Sequence, residues 1–110
     1  MYVKKNHKVI PRPTIHTPSF FVYILRCKDG EYYTGYTTDP PRRLRQHDRG
    51  AASRFTRSRR PVELAYLEEC VVRSAALKRE AQIKKLRRSK KLALSREFEG
   101  RNKMREKSPR

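Results

Sequence analysis

Five side chains in this sequence have the types and the order needed to work on a phosphate ester: Tyr23, Tyr33, Arg43, His47 and Glu80. Arg43 and His47 are four residues apart and share one face of any helix that carries them. An arginine grips phosphate oxygens bidentately, and a histidine moves protons near neutral pH. A plain solvated basic face would show the same spacing. Glu80 stands out more, as the one acid among nine basic residues over 73–91. It falls four after Ala76, three after Leu77 and three before Ile83, on or beside the apolar stripe of a helix. A carboxylate in that place needs a partner or an ion. A hard oxygen donor suits Mg²⁺, which often takes one or two carboxylates and keeps its waters. The alternative is an ion pair with a neighbour such as Lys84.

The two tyrosines depend on a hairpin. Phe20 to Arg26 is aromatic and β-branched and reads as a strand, Lys28-Asp29-Gly30 as a turn, and Glu31 to Thr37 as the return strand. A two-residue turn would set Tyr23 opposite Tyr36 and turn Tyr33 to the other face. A three-residue loop with Gly30 left-handed pairs Tyr23 with Gly35 instead, so that Tyr23 and Tyr33 become diagonal neighbours on one face. In that register Gly35 leaves an open space opposite Tyr23, and two phenols beside a gap would suit a phosphate. Tyrosines also favour strands for no catalytic reason.

The other elements follow from their punctuation. Asp39 with Pro40 and Pro41 reads as the start of a helix over about 41–48, which Gly50 ends. Ala51 to Arg60 reads as a basic loop whose Arg54, Arg57, Arg59 and Arg60, with Ser53, Thr56 and Ser58, suit phosphate contacts. Phe55 could stack on a base, but anchoring the loop on the core is the favoured reading. Residues 61–69 read as a third strand, 74–88 as a helix with apolar Ala76, Leu77, Ile83 and Leu86, and 90–94 as a short last helix. The order β-β-α-β-α-α predicts a small α/β domain, a three-stranded antiparallel sheet flanked by helices.

A flexible basic arm is expected over 1–18, one folded domain over 19–94, and a charged tail over 95–110, frayed helix or disordered. The net charge is +18, and residues 19–94 alone hold 19 basic against 8 acidic residues, so the charge is not confined to the tails. Such an excess favours a polyanion, nucleic acid before an anionic membrane, and disfavours self-association, so a monomer is assumed. No apolar run approaches the ~18 residues of a membrane span, and 1–18 lacks the apolar core of a secretory signal. A cytoplasmic protein is expected. Cys27 and Cys70 form no CxxC pair, and His7, His16 and His47 lack ligand spacing. A structural zinc site is therefore not expected, and the cysteines read as reduced core residues.

Taken together these residues resemble the GIY-YIG nuclease superfamily. The first element is matched by Phe21-Val22-Tyr23 and the second by Tyr33-Thr34-Gly35. Arg43 follows Tyr33 by ten residues, His47 comes four later, and Glu80 lies 37 beyond Arg43. The likeness spans about 19–94 and is nearest to small stand-alone bacterial members, in YTGYTTDPPRRLRQH and LKREAQIKKL. It implies a metal-dependent endonuclease acting on DNA phosphodiesters, with damaged or branched DNA as a candidate substrate. Glu80 would hold one Mg²⁺ or Mn²⁺, Tyr23 would act on the attacking water, Tyr33 would support it, Arg43 would stabilise phosphate charge, and His47 would relay the proton. No small-molecule cofactor is implied. Gly35, Arg42, Arg45, Arg54, Arg57, Arg59, Arg60 and Lys84 are the expected nucleic-acid contacts. One departure is that many members carry an Asn about a dozen residues after the Glu, where this chain has Lys90-Lys91-Leu92; its asparagines, Asn6 and Asn102, fall in the expected tails. No recognition domain accompanies the motifs, so intrinsic sequence specificity is not expected. The competing readings are a non-catalytic module that binds DNA or RNA, and a protein that docks on a partner.

Overall fold

The computed structural model describes residues 19–107, and the side chains of 19–103; the arm expected at 1–18 lies outside them. Its first two elements are a hairpin of β1, Phe20–Arg26, and β2, Tyr32–Thr37. Gly30 sits at φ 87° between them, a left-handed turn position that a side chain would strain. That turn sets the register with Tyr23 opposite Gly35 and Leu25 opposite Tyr33, as the three-residue loop requires.

Helix α1, Pro40–Asp48, starts at Asp39, whose carboxylate accepts the Arg42 N–H at 3.2 Å, with prolines in the first turn where no N–H is needed. The basic segment after it is not all loop. Ser53 caps a four-residue helix α2, Arg54–Arg57, by accepting the Thr56 N–H at 3.1 Å. Strand β3, Glu63–Cys70, joins the other side of β1, giving an antiparallel sheet of order β2-β1-β3. Tyr66 pairs with Ile24 and Leu64 with Leu25, leaving Ala65 as an extra residue. This bulge turns Leu64 to the face of Leu25 while Tyr66 stays on the face of Ile24.

The two faces are covered differently. Tyr23 and Leu25 look toward α1, and Val22 and Ile24 look toward α3, Arg73–Lys84. Arg73 bonds the Tyr36 hydroxyl at 3.2 Å, and Arg79 pairs with Glu68 at 2.9 Å, both on the Val22 side of the sheet. Ala76 and Ile83 bury fully on α3, whereas Leu77 is 40% exposed and does not belong to the stripe. Ala76, Glu80 and Ile83 thus form the inward line at spacings of four and three.

The last helix is longer than expected. The short helix at 90–94 and the frayed helical alternative for the tail are one continuous element, α4, Arg88–Lys107, with Ser95, Phe98 and Asn102 buried and Phe98 packed edge-on against Tyr66, 6.2 Å between centroids. The expected boundary at 94 falls inside it. Cys27 and Cys70 are buried and unpaired, as expected. No helix among the described residues is long and apolar enough to cross a membrane.

Candidate active site

The hairpin and α1 bring three rings together on one face of the sheet. Tyr23 and Tyr33 have centroids 6.3 Å apart, Tyr23 and His47 5.8 Å, and Tyr33 and His47 5.0 Å. The Tyr23 hydroxyl lies 3.0 Å from Nε2 of His47. The diagonal placement of the tyrosines follows from the register, and His47 reaches them because α1 buries Leu44 and His47 against the sheet.

Gly35 has a different role from the one expected. A Cβ there would lie 2.6 Å from the Tyr23 hydroxyl oxygen and 2.8 Å from its ring. The space above Gly35 is filled by Tyr23 itself, so the glycine is where the phenol lies flat on β2 and not an open phosphate gap.

Burial sets the electrostatics. Tyr23 is 5% and His47 1% exposed. Burial, reinforced by Tyr33 and Glu80 and opposed by Arg43, pushes the Tyr23 phenol well above its ordinary range. Burial first, then the positive charge of Arg43, lowers His47 to about 4. Near pH 7 the pair is a neutral phenol against a neutral imidazole. Arg43, half-buried beside Tyr23, makes no ion pair among the described residues, so its guanidinium is available to an anion.

Glu80 comes from α3, which packs against the Val22 side of the sheet, and its charge is the last of the influences that raise the Tyr23 phenol. Lys84, one turn on, lines a surface groove with Tyr33 and Phe55. The Glu80 side chain is 17% exposed and pairs with Lys84 at 3.2 Å, while Lys84 itself is 57% exposed. The ion-pair alternative is therefore the observed state of these two side chains. It does not exclude a cation, because a flexible, mostly exposed lysine can swing away. Among the described residues no three His, Cys, Asp or Glu side chains cluster as a metal cage. The donor set available is one hard carboxylate, which fits a largely hydrated Mg²⁺ or Mn²⁺ and not a dehydrated, all-protein site.

The basic residues divide. Arg42, Arg45, Arg54 and Arg57 are exposed. Arg59 pairs with Asp29 at 3.0 Å and lies 3.9 Å over the Phe55 ring, whose centroid is 6.1 Å from that of Tyr33. Arg60 donates to the backbone carbonyls of Arg57 and Asp48. Arg59 and Arg60 thus brace the loop, and Phe55 is its anchor. Thr56, read from the sequence as a phosphate contact, is fully buried and bonds Nδ1 of His47 at 2.7 Å. The only hint of this was the capping spacing from Ser53. Asn102 does not replace the late Asn: it is one turn beyond Phe98, on the helix that covers the Tyr66 side, across the sheet from Tyr23.

A model described as the GIY-YIG catalytic domain matches residues 19–93. A UPF0213 protein of Desulfotalea psychrophila is 50% identical over 86 residues, 77% of this chain and 78% of its own length. A UPF0213 protein of Staphylococcus aureus is 49% identical over 79 residues, 72% of this chain and 96% of its own. A protein of E. faecalis solved by solution NMR is 41% identical with a TM-score of 0.52, over 74% of this chain and 86% of that one.

Proposed function

The chain belongs to the GIY-YIG catalytic-domain family, a nuclease family whose substrate class is nucleic acid, and on that footing we propose that it is a divalent-metal-dependent endonuclease acting on DNA phosphodiesters. The observation that carries the reading is the 3.0 Å hydrogen bond between Tyr23 and His47, beside an Arg43 that makes no ion pair among the described residues and with the charge of Glu80 bearing on Tyr23. A binding surface has no need of a buried phenol–imidazole pair.

In this mechanism Tyr23 takes a proton from the attacking water while its own phenol proton passes to Nε2 of His47. The water oxygen bonds to phosphorus as the P–O bond to the leaving group breaks, and the departing oxygen takes a proton from solvent. The pair then resets as the Tyr23 phenol gives its proton to solvent and takes back the one held on Nε2 of His47. Arg43 balances the charge that builds on the phosphate oxygens, and Tyr33 packs the pair in place. Glu80 would hold the divalent ion, which when bound supplies Lewis-acid stabilisation of the phosphate. The exposed Arg42, Arg45, Arg54 and Arg57 are suited to backbone phosphates, which position DNA but do not read its sequence. Branched or damaged duplexes are therefore the substrates to test first.

The Glu80–Lys84 ion pair favours a second reading, a module that binds nucleic acid without cutting it. A panel of supercoiled, single-stranded, nicked and branched DNAs, with Mg²⁺ or Mn²⁺ and with EDTA, separates the two. The endonuclease reading expects metal-dependent cleavage by the wild type and none by Glu80→Ala, whose DNA binding persists or tightens. Binding with no cleavage of any substrate refutes it.

A further inference from the structure

Thr56 is the least expected buried residue in the molecule. It sits among exposed arginines, yet its side chain is fully buried. Its hydroxyl oxygen lies 2.7 Å from Nδ1 of His47, 2.9 Å from Oγ of Ser53 and 3.5 Å from the Ser53 carbonyl oxygen. Ser53 also accepts the Thr56 N–H at 3.1 Å, which caps α2 and pins both hydroxyls. The chain Ser53–Thr56–His47–Tyr23 thus crosses from a surface loop to the centre of the site.

We propose that Thr56, held by Ser53, is a positioning residue that fixes His47 as the tautomer protonated on Nδ1, so that Nε2 accepts the phenol proton of Tyr23. The inference rests on the hydrolytic reading of this site and adds the residues that give His47 its direction.

Proton counting decides between the two neutral tautomers. If Nδ1 carries the proton, it donates to Thr56 Oγ1, and the Thr56 hydroxyl donates to Ser53, toward a side-chain oxygen and a carbonyl that can only accept. Nε2 then takes the Tyr23 proton, and every buried proton of the three side chains has an acceptor. If Nε2 carries the proton, it donates to the Tyr23 oxygen and Thr56 donates to Nδ1. The Tyr23 hydroxyl proton is then left without an acceptor among the described residues, in a side chain only 5% exposed. Leaving a buried donor unpaired is the costly outcome, so the first arrangement wins. The groups around the imidazole are Arg43 on its own helix, Tyr23 and Tyr33 on the hairpin, and Glu80 beyond Tyr23. None of them other than Tyr23 bonds the ring, so Thr56 alone holds the nitrogen that faces away from the reaction.

The consequence is chemical. Only with a bare Nε2 can Tyr23 pass on its proton as it receives one from water. The opposite tautomer donates to Tyr23 and blocks the relay without moving a heavy atom.

The test reads the tautomer apart from activity. Long-range ¹H–¹⁵N correlation spectra of the full-length protein at neutral pH, with the His47 signals identified by their loss in His47→Gln, should show Nδ1 protonated and Nε2 bare. Thr56→Val keeps the shape but removes the acceptor. It should raise the Nε2-protonated form and lower kcat about 10- to 100-fold with KM little changed. Thr56→Ser should restore both. A wild type with Nε2 protonated overturns the proposal, as does a folded Thr56→Val with unchanged tautomer and unchanged kcat. If Thr56→Val does not fold, the wild-type spectrum and Thr56→Ser still decide the assignment. A wild type that cuts no DNA yet shows the Nδ1–H form supports the tautomer assignment and refutes the endonuclease reading.

Discussion

Replacing Gly35 with alanine adds one methyl group in the most crowded part of the site. The new Cβ would stand 2.6 Å from the Tyr23 hydroxyl oxygen and 2.8 Å from Cζ, where ordinary contact begins at 3.4 Å. The phenol must therefore withdraw by about 0.8 Å or β2 must bow outward, in a sheet where Tyr23 is already 5% exposed and has little room to move. Either response lengthens the 3.0 Å bond to His47. Overpacking of this kind costs about 1–3 kcal/mol of stability, and a displacement approaching 1 Å of a reacting group costs on the order of 100-fold in rate. Gly35→Ala should accordingly keep DNA affinity, lose about 30- to 100-fold in kcat and shift its urea midpoint downward. Tyr23→Phe removes the nearest atom, so Gly35→Ala should cost less stability in that background. Wild-type cleavage and stability in Gly35→Ala would refute the claim that this glycine exists to admit the Tyr23 ring.

Glu80→Ala should lower metal-dependent cleavage by on the order of 100- to 1,000-fold while DNA binding at fixed salt holds or strengthens, measured by nicking and fluorescence anisotropy; equal loss of both would point to misfolding. His47 is held neutral to about pH 4 in the fold and protonates near pH 6.5 when unfolded, so the unfolded chain binds the extra proton between those values. Stability should fall as pH drops through that window, by about 1.4 kcal/mol per unit from this residue, and the excess slope should vanish in His47→Gln under urea denaturation. Phe98→Ala should cost about 3–4 kcal/mol, checked by the same denaturation, because α4 is part of the core; a cost below about 1 kcal/mol would return that helix to the status of a tail.

What the sequence disclosed depended on whether a residue's role follows from periodicity. Strand alternation and a left-handed Gly30 were enough to place Tyr23 opposite Gly35 and Tyr33 on the diagonal. Alternation does not say where a ring lies once it leaves the backbone, so the space over Gly35 read as open when Tyr23 fills it. Glu80 was legible because Ala76 and Ile83 bracket it, although Leu77, one residue off the line, proved largely exposed. The packed length of α4 was hard to read because two of its buried positions, Ser95 and Asn102, are polar and its apolar face past residue 90 rests on Leu94 and Phe98. Thr56 was misread for a similar reason. A hydroxyl among arginines looks like a phosphate contact, and only the folded chain brings α2 under α1 to meet His47. Composition likewise could not separate Arg59 and Arg60, which brace the loop, from the arginines left facing solvent.

One physical cause underlies both perturbed groups at the centre. Burial penalises the charged form, so it raises the phenol and lowers the imidazole, leaving a pair in which neither member is ionised near neutrality. A base stored as phenolate is therefore the wrong description of Tyr23. In the proposed reaction the pair would act by transferring a proton along its hydrogen bond. The permanent charges lie around it, in Arg43 and in the Glu80–Lys84 pair. On the proposed function, a phosphate bound beside Arg43 would offset the smaller of the two effects that lower His47, burial being the larger. Burial thus explains how a tyrosine and a histidine can rest in the core without carrying charge.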